Sequence, residues 1–246
     1  VTVPPAEAER ARAIMLELFP EGFEERDSSD GVELAAYTDA SGEERLWSAF
    51  GGARSTDVEE GWENRWRAFH RPVRIGPLWV GPPWEQPDAE AIAVVIDPGR
   101  AFGTGGHATT RLCLELLLEV PQGSLLDVGC GSGVLSIAAA KLGFDPVHAV
   151  DLDPQAIEAT ARNAEANGVE LDIVEADVAI DPPPPAAVAV VNISLEADDA
   201  IAGRLDCERV ITSGYLADKS PGLQGYRCEQ RREAEGWAAD LHVRTK

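Results

Sequence analysis

Methionine, lysine and cysteine are all scarce here: the 246 residues include one methionine, three lysines and four cysteines. The cysteines (Cys113, Cys130, Cys207 and Cys228) show no paired spacing, which excludes a disulfide framework and a structural zinc site and leaves reduced thiols of a cytosolic protein. His107 has no second histidine or cysteine at ligand spacing, so no metal is expected there. Apolar runs are short. None approaches the roughly 18 residues of a membrane span, and no basic-then-apolar leader opens the sequence, so a cytoplasmic protein is expected. Positive charge is also in short supply, with 21 basic against 43 acidic residues and a net charge of −22. A nucleic-acid backbone would be repelled, so direct nucleic-acid binding is not expected. A basic protein partner would be attracted, although a surface kept soluble by acids explains the same count. The 44% hydrophobic content is enough for one large core with a small satellite, and a monomer is expected.

What the chain does have is a glycine turn between an apolar strand and a helix, Leu125-Leu126-Asp127-Val128-Gly129-Cys130-Gly131-Ser132-Gly133. Asp151 follows 20 residues after Gly131, at the end of a second apolar strand. Glycine lets the backbone approach a ligand where a Cβ would collide, and a carboxylate can accept from both hydroxyls of a ribose. A dinucleotide site requires glycine where Val134 stands, and a phosphate-gripping loop requires a lysine that is missing. Gly-x-Gly-x-Gly with a downstream acid is the pattern for S-adenosylmethionine.

Residues 1–58 read as a small α+β domain: a strand at 1–3, a helix over 5–18, a strand pair at 22–26 and 32–37, a helix near 43–49 and a strand near 53–58. That order is a ferredoxin-like unit, and it carries no chemical motif, so docking is its expected role. Residues 59–72 read as a linker helix with Trp62, Trp66 and Phe69 on one face. Residues 73–246 alternate strand and helix, the order of a doubly wound, Rossmann-like α/β sheet. Strands are expected at 91–96, 124–128, 147–150, 171–175, 187–191 and 209–212, with an antiparallel pair around Tyr226 and His242. Asp153, Pro154 and Gly168 mark the start and end of a helix over 155–167.

In such a sheet each strand delivers its last residue to one edge. The glycine turn, including Gly129 and Gly131, would face the methionine part of the ligand. Asp151 takes the ribose in preference to capping a helix, a task that suits Asp153. Asp177 can accept from the adenine amino group or be a solvated loop acid. Asn192 ends an apolar strand, where an unpaired amide is costly; its carbonyl can accept from an incoming amine. The segment 97–110 holds four glycines and three threonines between strand and helix, a loop able to fold over a ligand. Phe102 within it can cover the adenosine or the sulfonium, a contact of about 0.5–2 kcal/mol. Thr109 or Thr110 would otherwise cap the next helix.

The segments Phe102-Gly103-Thr104-Gly105 with His107 and Thr109-Thr110, Leu126 to Leu135, Val150 to Pro154 and Val191-Asn192-Ile193 follow at a spacing that resembles the bacterial ribosomal-protein lysine methyltransferases. These are the PrmA-type enzymes, which act on large-subunit ribosomal protein eleven. The resemblance implies a class I methyltransferase domain behind a domain that grips the ribosomal protein. It also implies cofactor contacts at Thr110, Gly129, Asp151 and Asn192, with Phe102, Thr104 and His107 over the methyl donor. On this reading Asn192 and Thr110 orient the amine, and His107 organises the loop or relays a proton. A related class I enzyme acting on another protein or on a small molecule is the alternative.

Overall fold

The structure, a computed structural model, describes residues 1–19, 24–28, 31–36, 38, 40–53, 70–97 and 105–245. The chain divides into two units, Val1–Trp62 and Glu63–Lys246. In the first, β1 (Thr2–Val3), α1 (Ala8–Leu18), β2 (Glu24–Ser28), β3 (Gly31–Ala35) and α2 (Ala40–Phe50) follow in that order. The strands form an antiparallel sheet in the order β1-β3-β2. Val32 and Leu34 of β3 are buried and Glu33 is exposed, the alternation of a sheet with one covered face. The single methionine, Met15, is buried among Val3, Ala11, Phe19 and Leu46. The strand expected over 53–58 and the linker helix over 59–72, with Trp62, Trp66 and Phe69, lie almost wholly outside the described residues.

The second unit begins with β4 (Val73–Ile75), β5 (Leu78–Gly81) and β6 (Ile92–Val95), and continues through α3 (Ala108–Leu117), β7 (Leu125–Val128), α4 (Val134–Leu142), β8 (Val147–Asp151), α5 (Pro154–Asn167) and β9 (Asp172–Glu175). It ends with β10 (Val188–Asn192), α6 (Leu195–Ile201), β11 (Arg209–Leu216), β12 (Tyr226–Ala234) and β13 (Trp237–Arg244). Seven strands make one sheet in the order β12-β13-β11-β10-β7-β8-β9. The five from β11 to β9 are parallel, and β13 runs antiparallel between β11 and β12. From β7 the chain winds outward to β9, then returns to β10 on the other side of β7. The crevice at that reversal is where open α/β sheets bind ligands.

Both faces of this sheet are covered, which is why its inner strands are apolar without a break. Leu125, Val188, Val190 and Ile211 point into one core with Leu112, Leu116 and Ile137. Leu126, Val128, Ala189, Val191 and Val210 point into the other with Ile201 and Leu205. Helix α5 starts where its signals place it: the Asp153 carboxylate accepts from Gln155 N at 2.9 Å, and Gly168 follows at φ 64°.

Three elements differ from expectation. The strand at 91–96 does not join the large sheet. It pairs parallel with β5, Leu78 opposite Ile92, in a separate three-stranded sheet over the first core. Strand β11 continues past 212 to Leu216 through a bulge at Gly214, whose φ is 105°. A Cβ there would lie 2.5 Å from the carbonyl oxygen of Ile193, so this glycine marks a close backbone approach rather than a strand end. The short helix α6, with Glu196 and Asp198 in its first turn, was not foreseen.

Two asparagines of α5 tie the small sheet to the glycine turn. Asn167 pairs with the Val95 backbone in both directions, accepting from its N–H at 2.9 Å and donating to its carbonyl at 2.6 Å. Asn163, only 4% exposed, accepts from Asp97 N at 3.1 Å and donates to the Ser132 carbonyl at 2.8 Å. Replacing Asn163 with alanine removes two hydrogen bonds to backbone groups, each contributing about 0.5–1.5 kcal/mol. Asn163→Ala is therefore expected to lose about 1–3 kcal/mol, read as a lower urea midpoint with unchanged slope.

Candidate active site

At the carboxyl end of β7 the backbone turns through Gly129, Gly131 and Gly133, with φ of 72°, 55° and 82°. These are left-handed values that side chains rarely adopt. Val150 of β8 anchors the turn, its carbonyl accepting from Gly129 N at 2.8 Å and Cys130 N at 3.1 Å. One residue on, the Asp151 carboxylate accepts from Gly131 N and from Asp153 N, each at 3.0 Å. Asp151 is thus held by two backbone donors, one per oxygen, and keeps further acceptor capacity on both. Thr160 of α5 closes the turn from behind by donating to the Gly131 carbonyl at 3.0 Å.

Asn192 lies on the opposite flank. Strand β10 pairs with β7, Val191 beside Val128, so Asn192 stands next to Gly129. Its Nδ2 donates to Thr110 Oγ1 at 3.5 Å, turning the amide so that Oδ1 is presented away from the buried threonine. Ile193 then passes between two glycines: a Cβ on Gly129 would lie 2.6 Å from its side chain, and one on Gly214 would meet its backbone. The rim therefore brings together Gly129, Gly131, Asp151, Thr110 and Asn192.

His107 is the N-cap of α3, a position expected for Thr109 or Thr110. Its Nδ1 accepts from Thr109 N at 3.4 Å and lies 2.8 Å from the Thr109 hydroxyl, while both threonines fall inside the helix because the chain turns two residues earlier. Asp177 is half-buried in the turn after β9, and its Oδ1 accepts from Ala179 N at 2.9 Å, so one oxygen serves the turn itself. Phe102 and Thr104 lie outside the described residues.

Two participants were not assigned roles from the sequence. Trp237, at the start of β13, sets its ring edge-on to His107, centroids 5.0 Å apart at 68°; nothing local in sequence announces a contact across that distance. Asp127, inside the apolar strand β7, did carry a signal, since a charge in a buried strand requires a reason. Its Oδ2 accepts from Ser136 N at 3.0 Å and Ser136 Oγ at 2.5 Å. Oδ1 is buried with no hydrogen-bond partner among the described residues. Burial raises the Asp127 carboxyl to about 6 despite both Ser136 bonds. Cys130, within the turn, is pushed by burial and then by Asp127 to about 12, which removes it as a nucleophile at neutral pH.

The donor set fits a cationic nucleoside and not a phosphate. Two carboxylates (Asp151 and Asp177), an amide, a buried hydroxyl and a glycine turn surround the rim, with the Asp127 carboxyl buried beneath it, and the turn carries no lysine or arginine. A sulfonium with a ribose and an amino-acid tail matches these groups, whereas a pyrophosphate would face like charge.

The family model described as "Ribosomal protein L11 methyltransferase (PrmA)" matches residues 20–244. A ribosomal protein L11 methyltransferase of Methylococcus capsulatus is 38% identical over 242 residues, covering 87% of this chain and 79% of its own. One of Legionella pneumophila is 40% identical over 179 residues, covering 68% of this chain and 61% of its own. The crystal structure of a ribosomal protein L11 methylase from Lactobacillus delbrueckii subsp. bulgaricus superposes with a TM-score of 0.64 at 27% identity, covering 72% of this chain and all of that one.

Because the Asp127 carboxyl holds its proton up to about pH 6 in the folded protein, the folded state binds more protons than the unfolded chain between about pH 4 and 6. Stability is expected to fall as pH rises through that window, by about 2–3 kcal/mol from this group. Asp127→Asn should flatten that part of the profile when urea midpoints are measured against pH.

Proposed function

The chain belongs to the ribosomal protein L11 methyltransferase (PrmA) family, and we infer that it is an S-adenosylmethionine-dependent protein methyltransferase acting on lysine and amino groups of that ribosomal protein. The observation that carries this reading is the single rim on which Asp151 and Asn192 flank the glycine turn.

We propose the following division of labour. Gly129, Gly131 and Asp151 hold the donor's amino-acid and ribose parts, Asp177 its adenine, and Thr110 and Asn192 the end that faces the acceptor, with Phe102 and Thr104 over the donor. When bound, S-adenosylmethionine supplies an already activated methyl group, so the protein needs no nucleophile of its own. Its task is alignment and exclusion of water. A lysine amine must arrive neutral, which costs about 4–5 kcal/mol at pH 7 from its unperturbed value; a partly dry rim lowers that cost by disfavouring the charged form. Asn192 Oδ1 accepts from the amine, and Thr110 keeps the amide from rotating. His107, committed through Nδ1 to capping α3, organises the rim and is not an obligatory base.

Residues 1–62 carry fifteen carboxylates and five arginines. That local excess supports a role for residues 1–58 in docking a basic protein, joined through the linker at 59–72 to the methyltransferase domain at 73–246. The same charge disfavours direct nucleic-acid binding, and we propose a monomer. No helix among the described residues is long and apolar enough to cross a membrane, and we propose a cytoplasmic site of action.

Incubation with labelled S-adenosylmethionine and ribosomal protein from a methylation-deficient strain is expected to label that protein. Asn192→Ala should lower kcat at least tenfold and up to about 10²–10³-fold, the loss typical of one oriented donor or acceptor at a reacting centre. His107→Gln should keep the parent's pH–rate profile. Near-normal turnover in Asn192→Ala, or loss of the low-pH limb of the profile in His107→Gln, would reverse the respective assignment.

A further inference from the structure

Helix α3 presents Arg111 and Glu115 on one stripe, and Glu119 follows them in the turn just past the helix end. Strand β12 answers with groups of complementary charge and polarity. Gln230 donates to Glu119 at 2.7 Å, Arg232 pairs with Glu119 and Glu115, and Arg111 pairs with Glu235. Exposed pairs of this kind contribute little stability each. The last differs from the others in where it sits.

Glu235 and Gly236 are the two-residue turn between β12 and β13, with φ of 54° and 81°. Among the described residues Glu235 is the one non-glycine with positive φ. Turns of this geometry favour asparagine or aspartate before the glycine, because a longer side chain gains nothing locally from the left-handed conformation. A glutamate here reaches further, and it reaches Arg111. The other arm of the same guanidinium, Nη1, donates to the carbonyl of Gly106 at 3.2 Å. One side chain therefore binds the residue before His107 and the residue two before Trp237, the pair whose rings meet at 5.0 Å. Leu216, 51% exposed at the end of β11, stands directly opposite Trp237 in the strand register.

We propose that Arg111 and Glu235 are positioning residues: their ion pair sets the β12–β13 tip so that Trp237 holds the His107 ring at the acceptor side of the rim. This rests on the methyltransferase reading above and adds a residue pair to it. The left-handed backbone at Glu235 is retained because the side chain is needed, a trade of local strain for placement.

The test is Glu235→Asn, which suits the turn and removes the reach. Its melting temperature is expected to equal or exceed the parent's, with cofactor affinity by calorimetry within about twofold, whereas kcat/KM for the ribosomal protein falls about tenfold. Glu235→Gln, which keeps the length without the charge, should lie between. The chain has four histidines, so the His107 ring proton can be assigned by NMR with one His107→Gln spectrum. Its shift should move as the Trp237 ring current is lost. An unchanged kcat/KM in Glu235→Asn overturns the proposal, and so does a loss of activity that tracks a lowered melting temperature, which would make the pair a structural clasp. A parent that transferred no methyl group to the ribosomal protein would sink the functional reading instead. In that event the ring-proton shift alone still decides whether the pair positions the ring.

Discussion

Space at the end of β10 governs this site. Ile193 has a glycine on each side, Gly129 toward β7 and Gly214 on β11, and neither position has room for a methyl group. That closeness is what brings Asn192 beside the glycine turn rather than a side chain's breadth away from it. The turn is fixed from the other direction by Asp151, each of whose oxygens accepts from one backbone donor and can still accept from a ligand. Between these restraints the rim has little freedom, as a site that works by alignment requires.

Polar groups buried beneath the rim serve the same end at some cost. Asn163 and Asn167 hydrogen-bond the backbone of Val95 in β6, of Asp97 just past it and of Ser132 in the glycine turn. Asp127 is buried with one oxygen unpaired among the described residues. A well-packed apolar residue would suit the core better at that point, so the carboxylate marks where stability has been traded for the electrostatics of the site. Its proximity to a rim meant for a cation gives that trade a purpose.

Much of this was legible in the order of residues. The glycine turn, the acid at the end of the next strand and the capped helix after it are local patterns, each with a steric or hydrogen-bonding cause that acts within a few residues. Asn192 could be read because an amide ending a fully apolar strand is conspicuous. Pairing partners were less legible. Residues 91–96 have the composition of a buried strand, and nothing in them says which sheet they join. The close approach at Gly214 and the ring contact of Trp237 both depend on stretches of chain distant in sequence. The N-cap at His107 was missed because the neighbouring threonines are better cappers on average, while the backbone turned earlier than they would have set it.

The two halves of the rim are assembled from very different stretches of chain. Asp127, the glycine turn and Asp151 come from one βαβ segment and contact one another over short sequence separations, whereas His107 meets Trp237 across most of the second unit. Closing so long a loop costs entropy that short-range contacts avoid. An opening that parts Trp237 from His107 can therefore leave the contacts within the βαβ segment intact. Such a molecule would keep its glycine turn and Asp151 while losing the ring contact beside α3; on the proposed division of labour, thermal wear on this fold would show as slackened selectivity for the acceptor.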